Sequence, residues 1–589
     1  MHGFSRDPNY FQAWLVGSGI ASLTAALHLI KEAKVPGSNI HILDTHEGTG
    51  GGMRIQGRGT EDGGYFLPPG CVQHFHGASV KKLLSLIPSA ADASKSVLDT
   101  LHESTEEPTS KKGTYAGGYM TSFEASAGSY VERLFSPSTA RAAEGPSGRH
   151  PPGPLAQFVT AGESGPEASH QTGVHLGFQQ RMMLIGFMLE NESSIDNTSI
   201  KEIFDEDFFK TDFWMFWSTV FRLHPWHSAV EFQRHLRNHL GNLRSLNQIK
   251  ELGRANFTYN IVESVIEPLT AFLKQEGVDF RFHQKVTDLK AYPESGPTTV
   301  SQIEVETEEG AQQLITLDPV DIIIVTLGST AAGAAMGTNS SPPAGLQPNW
   351  ENLMDGEWKL WRKLAERSSR FGNPANFLPR IQESAVETFT TTFADPGFAQ
   401  LYENLTREKA GTGAFLNMCE TNWGVVITVP QQPVFSAQAA NTTVMLGYAT
   451  NPGVEGNFVK KEMWQCTGEE ILKEVLCHLG CCKGCDDDSI EAAAAASILA
   501  TARTVPCGMP LGMAPLLTRG RGDRPAVIPK WTTNIACVGQ FVEIPASTTL
   551  EIEYSVQSAQ MAVAELMGLP VSPVKPHKSL LLEVMDLLT

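Results

Sequence analysis

Ala13 to Val16 form a short unbroken apolar run that ends at Gly17-Ser18-Gly19. From Ile20 to Ile30 the apolar positions recur at three- and four-residue intervals, the period of an amphipathic helix. A turn at Lys34-Val-Pro-Gly-Ser38 follows, and Ile40-His-Ile-Leu43 makes a second apolar run closed by Asp44. Strand, glycine turn, helix, strand and acid come in the order that a dinucleotide-binding β-α-β unit requires. Gly17 permits the sharp turn and Gly19 a close backbone approach to a pyrophosphate. Ala21 and Ser22 stand where helix and strand pack tightly, Ser22 in the place usual for a third Gly or Ala. Asp44 is placed to accept from ribose hydroxyls. The expected cofactor residues here are Gly17, Ser18, Gly19, Ala21, Ser22 and Asp44.

The loop His46-Glu-Gly-Thr-Gly-Gly-Gly52-Met-Arg54, with Arg58 beyond it, is too rich in glycine for a stable element. Directly after a second nucleotide-binding strand, such a loop is expected over the cofactor through Gly51 and Gly52. Asp321-Ile-Ile-Ile-Val-Thr-Leu-Gly328 reads as a buried parallel strand that returns the chain to the same sheet. Thr533 to Gly539 reads as another, followed by a loop and a helix from Glu553. Many flavoproteins close their site with such a unit, which favours a flavin over a free nicotinamide. Gly539 and Glu543 join the expected cofactor set.

Between these stretches the pattern changes. Residues 179–260 are helical and aromatic, with Phe213, Trp214, Phe216, Trp217, Phe221 and Trp226 close together. Such density builds a core or lines an apolar cavity. Residues 136–177 turn to Pro, Gly, Ser and Ala and read as a poorly ordered insertion. Residues 350–480 mix helices with strand-like runs.

The expected architecture is α/β, with a Rossmann-like flavin-binding domain that is discontinuous in sequence. A mixed α+β substrate domain and helical insertions accompany it. The boundaries are 1–125, 261–345 and 501–570 for the flavin-binding parts and 126–178 for the insertion. The helical aromatic segment is 179–260, the substrate domain 346–500 and a tail helix 571–589.

Composition narrows the partners. The chain has 589 residues and a net charge of −19, so a nucleic-acid surface, which needs clustered Lys and Arg, is not expected. No apolar run reaches a membrane span of about 18 residues, and the first residues hold no signal-peptide core. Nine cysteines without such a segment suggest a reducing, cytoplasmic setting. Cys477, Cys481, Cys482 and Cys485 with His478 lack the separated paired knuckles of a zinc site, so a thiol-rich turn and no metal are expected. The tail from Ser579 to Leu588 is amphipathic and suits docking or a membrane surface, although Glu583 and Asp586 weigh against the latter.

Extended blocks of the chain resemble the flavin-dependent fatty-acid hydratases, the myosin-cross-reactive-antigen family that includes oleate hydratases. They include Val16-Gly-Ser-Gly-Ile-Ala-Ser-Leu23, Asp212-Phe-Trp-Met-Phe-Trp217 with Trp226-His-Ser228, and Tyr259-Asn260 with Glu263-Ser264. Further blocks are Gly522-Asp-Arg-Pro525, Gly539-Gln-Phe541 with Glu543-Ile-Pro545, and Glu553-Tyr-Ser555. The resemblance implies FAD, a long-chain unsaturated fatty acid as substrate, and addition of water across a cis double bond without net redox change. It also implies a homodimer. In the family a Tyr protonates the alkene and a Glu handles the water. The Tyr carries over to Tyr259. A second family Tyr three residues on is Val262 here. The family's Gly-Gly-Arg-Glu-Met-Glu-type run is replaced by Pro68-Pro-Gly-Cys-Val-Gln-His74-Phe75, and no acid stands between Asp62 and Asp92. His74 is the remaining base. Loss of the glutamates leaves two other readings open: a flavin-dependent double-bond isomerase, or a FAD- and lipid-binding protein with decayed catalysis.

Overall fold

β1 (Ala13–Val16) and β2 (Ile40–Leu43) lie parallel and in register, Ala13 opposite Ile40 and Val16 opposite Leu43. The crossover helix α1 (Ile20–Lys31) joins them and is buried from Ile20 to Leu29. This computed structural model describes residues 6–54, 63–67, 77–105 apart from 90, 91 and 93, 156–169 apart from 163 and 164, and 176–249 apart from 243 and 244. It further describes 259–292, 296–343, 354–407, 411, 414–481 and 490–570.

The strand Ile322–Thr326 pairs with the other edge of β1, Ile535–Val538 pairs beyond it, and Asp279–Arg281 lies outside β2. All five strands are parallel. The central ones are buried, as their unbroken apolar runs require of a sheet covered on both faces. Distant stretches of sequence therefore build one sheet. The helix Ile552–Met567 packs in the same core as α1 through Val556, Ala559 and Val563.

An eight-stranded sheet makes the second body of the fold. Its order is Ala335–Met336, Arg503–Met509, Val386–Phe393, Thr443–Ala449, Val425–Thr428, Phe415–Met418, β3 (Ala156–Gly162) and β4 (Gly165–Ser169). Only the junction of Phe415–Met418 with β3 is parallel. Phe158, Val426, Tyr448 and Val505 on one face meet the aromatic helices, including Phe213 and Trp217 of Asp212–Phe221. Phe389, Ile427 and Met445 on the other face meet Phe398, Ile471 and Ile498 of a helical layer.

β3 and β4 fall inside the stretch expected to be a poorly ordered insertion. There the structure differs from the sequence reading: Ala156, Phe158 and Val159 are buried sheet residues. Cys477, part of the expected thiol-rich turn, is disulfide-bonded. No helix among the described residues is long and apolar enough to cross a membrane. The tail 571–589 lies outside the described residues.

Candidate functional site

The glycine turn after β1 is held from three sides. Gly17 takes φ +91°, a conformation open to glycine at little cost, and its amide donates to the Leu43 carbonyl at 2.8 Å. The Ser18 amide and hydroxyl both donate to Asp44 Oδ2, at 2.8 and 2.6 Å. From the glycine-rich loop, the Gly50 amide donates to the Ser18 carbonyl at 2.9 Å. Gly51 approaches so closely that a Cβ there would stand 2.9 Å from the Gly19 Cα. Arg54 then donates to Asp44 Oδ1 at 3.0 Å and to the Gly48 carbonyl at 3.1 Å. The loop expected to cover the cofactor thus clasps the turn itself.

Ser22 explains why the third glycine is dispensable. Its hydroxyl bonds Thr326 Oγ1 at 3.1 Å, a polar link from α1 to the neighbouring strand, and Ala21 is buried beside it. A Cβ on Gly539, whose φ is +102°, would touch the same Thr326 at 3.3 Å. The Gly539 amide donates to Ser558 Oγ at 3.0 Å. α1 itself starts at Gly19 with no side-chain cap and no acid in its first turn. Its positive end suits an anion such as a diphosphate.

A cavity of about 310 Å³ opens on this turn. Gly17, Asp44, Gly51 and Gly52 line it, with Asp355 and Glu357 from the start of the helix Gly356–Arg367. Phe66 and Cys507 also line it, and both belong to the apolar layer shared by the eight-stranded sheet and the aromatic helices. The cavity therefore connects the glycine turn with the apolar body of the protein. Burial pushes the Asp355 carboxyl up to about 6, against two backbone donors. Burial raises Glu357 well above the usual carboxylate range, and the charges of Asp355 and Asp44 add to it. A neutral carboxyl can donate as well as accept, which suits sugar hydroxyls. The residues present fit a dinucleotide. The sequence reading missed Asp355 and Glu357; their local signal is an N-cap Asp ahead of the helix Gly356–Arg367, where the Trp358 amide donates to Asp355 at 3.0 Å.

Glu543 stands elsewhere. Its two oxygens accept from Arg234 (2.6 Å) and Arg519 (3.3 Å), and it does not line the cavity. Burial acts to raise its carboxyl, but Arg519 and Arg234 outweigh it and hold it below the usual range. Arg519 and Arg524 also meet the fully buried Glu231 at 2.6 and 3.2 Å, and Arg234 reaches Glu192 at 2.7 Å. This network joins the helical segment to the closing segment of the chain. Glu543 and Arg524 of the sequence blocks work there as anchors. Glu553 likewise accepts from the Ser79 and Val80 amides at 2.9 and 2.8 Å, capping the helix Ala78–Leu86.

Tyr259 is half-buried and outside the cavity lining. The next residue, Asn260, is fixed by donating to the Val434 carbonyl from its amide (2.7 Å) and its side chain (3.1 Å). Glu263 accepts from the Ser436 amide at 2.9 Å. The segment around Tyr259 is thereby docked on the loop that carries Phe435, which stacks on Tyr65. His74 lies outside the described residues. Phe213, Trp214 and Trp217 are buried and do not line this cavity.

A family model described as the MCRA family matches residues 11–117 and 147–564. The oleate hydratase of Streptococcus pyogenes serotype M49 (strain NZ131) is 33% identical over 397 residues, 66% of this chain and 65% of that protein. The linoleate hydratase of Lactiplantibacillus plantarum is 30% identical over 404 residues, 64% of this chain and 68% of that protein. Among solved structures, cyclohexylamine oxidase from Brevibacterium oxydans IH-35A aligns over 95% of this chain and 99% of its own, at 11% identity. Its TM-score of 0.46 is too low to bear on chemistry.

Proposed function

We propose that this chain, which belongs to the MCRA family, binds FAD and adds water across a cis double bond of a long-chain unsaturated fatty acid. The observation that carries the reading is the pair of relatives, one an oleate hydratase and one a linoleate hydratase, at 33% and 30% identity. The connection of the cavity to the apolar layer through Phe66 and Cys507 supports it, because an alkyl chain must meet the cofactor out of water.

Gly17, Ser18, Gly19, Ala21 and Ser22 would hold the diphosphate at the start of α1, and Asp44, Gly51 and Gly52 the ribose side. Gly539 would close the site from the last strand. When bound, the flavin supplies an electron-rich surface beside positive charge developing on the alkene. Tyr259 gives its hydroxyl proton to one alkene carbon, since an isolated alkene is a poor base and needs a positioned acid. Water attacks the other carbon and passes a proton to His74, the base left where the sequence holds no acid. The product is heavier than the substrate by one water, with no net redox change. Incubating the FAD-loaded protein with oleate and with linoleate and weighing the products tests the reading. Unchanged mass in both would overturn it for these acids.

A further inference from the structure

His235 and His239 stand four residues apart on the helix Ala229–His239, so both rings leave the same face. That face meets Glu551, the residue just before the helix Ile552–Met567. The ligating atoms of the three side chains lie within 4.8 Å of one another, and all three residues are buried. His239 Nε2 is 2.6 Å from Glu551 Oε1, and His235 Nδ1 is 3.9 Å from the same oxygen. Phe221 backs the pair, its ring centre 4.6 Å from that of His235 and 5.0 Å from that of His239.

The arrangement is costly as it stands. Neither ring nitrogen of His235 has a hydrogen-bond partner among the described residues, although the side chain is only 2% exposed. A buried polar atom left without a partner destabilises the fold. Beside Phe221 an apolar ring would fill the same space without that cost. We propose that His235, His239 and Glu551 form a binding site for a first-row divalent transition ion, with Zn²⁺ the ion their ligand set matches best.

The chemistry fits on two counts. Two imidazoles and one carboxylate are a recurrent ligand set for such ions. Bonds of about 2.0–2.1 Å at tetrahedral angles put ligand atoms about 3.3 Å apart, a separation that 2.6 and 3.9 Å bracket. Three protein ligands leave a position for water. The ion ties the aromatic helical segment to the closing segment beside Gly539: Gln540 accepts from the Leu550 amide at 2.8 Å and donates to the Glu551 carbonyl at 3.3 Å. The site is distinct from the cysteine cluster and independent of the proposed hydration.

The test is metal analysis of the full-length protein loaded with Zn²⁺ and then desalted. One ion per chain is expected. Glu551→Gln and His235→Phe should weaken binding by more than the about 10–100-fold that loss of a supporting outer group costs. His235→Phe keeps a ring against Phe221, and its thermal transition shows whether it folds. Co²⁺ loading adds a second readout: a ligand-field spectrum of low coordination in the parent protein that vanishes in His235→Phe. No bound Zn²⁺ in the folded parent, or equal Zn²⁺ content and an unchanged Co²⁺ spectrum in the folded variants, would overturn the proposal.

Discussion

The carboxylate of Asp44 holds Ser18 by two bonds at once, one to its amide and one to its hydroxyl, at 2.8 and 2.6 Å. The acid at the end of β2 thus shapes the glycine turn at the end of β1, and Arg54 locks the acid in place. Asp44→Ala is expected to loosen the turn and leave Arg54 unpaired. Loss of a charge-assisted bond of about 1.5–3 kcal/mol predicts FAD binding weakened by about 10–100-fold. Flavin titration followed by fluorescence checks it.

Glu231 is buried between Arg519 and Arg524 and also accepts from Thr549 Oγ1 at 3.0 Å. Burial acts to raise its carboxyl, but Arg519, Arg524 and Arg234 together hold it at about 2. Glu231→Gln would leave buried guanidinium groups short of a counter-charge. A loss of about 3–5 kcal/mol is expected in chemical denaturation.

Glu387 lies buried in the strand Val386–Phe393 with no hydrogen-bond partner for either oxygen among the described residues, and burial pushes it up to about 8. Its folded pKa is above its unfolded one. Below the unfolded value both states are protonated and the group is neutral to stability. As pH rises from about 4.5 to about 8, only the unfolded chain gains by ionising, so stability falls across that window. Glu387→Gln should remove this slope and raise the melting temperature at pH 8 more than at pH 5. Parallel melting curves against pH for the two proteins would contradict it.

Much of this was legible in the sequence, and the reasons are local. β1, the turn, α1 and β2 are adjacent in the chain, so period and glycine placement suffice. Ile322–Thr326 and Ile535–Val538 announce themselves as unbroken apolar runs because both their faces are covered. β3 was hidden because its pairing with Phe415–Met418 spans more than 250 residues, and Ala-Gln-Phe-Val-Thr-Ala-Gly carries little signal of its own. Glu543 was assigned to the cofactor for the same kind of reason. Its partner Arg234 lies 309 positions away, and no local pattern reveals an ion pair across that distance.

Tyr259 is the proposed proton donor, and its neighbours Asn260 and Glu263 are fixed to the loop at Val434 and Ser436. Tyr259→Phe removes one oxygen and leaves those anchors. Turnover is expected to fall by about 10²–10⁴-fold with FAD content unchanged. Retained turnover would move the acid to another residue.

The most direct measurement is mass spectrometry of oleate and linoleate incubated with the FAD-loaded protein in heavy-oxygen water. The account predicts a hydroxy acid carrying one heavy oxygen, formed from solvent. A shifted double bond with no oxygen incorporated would contradict it.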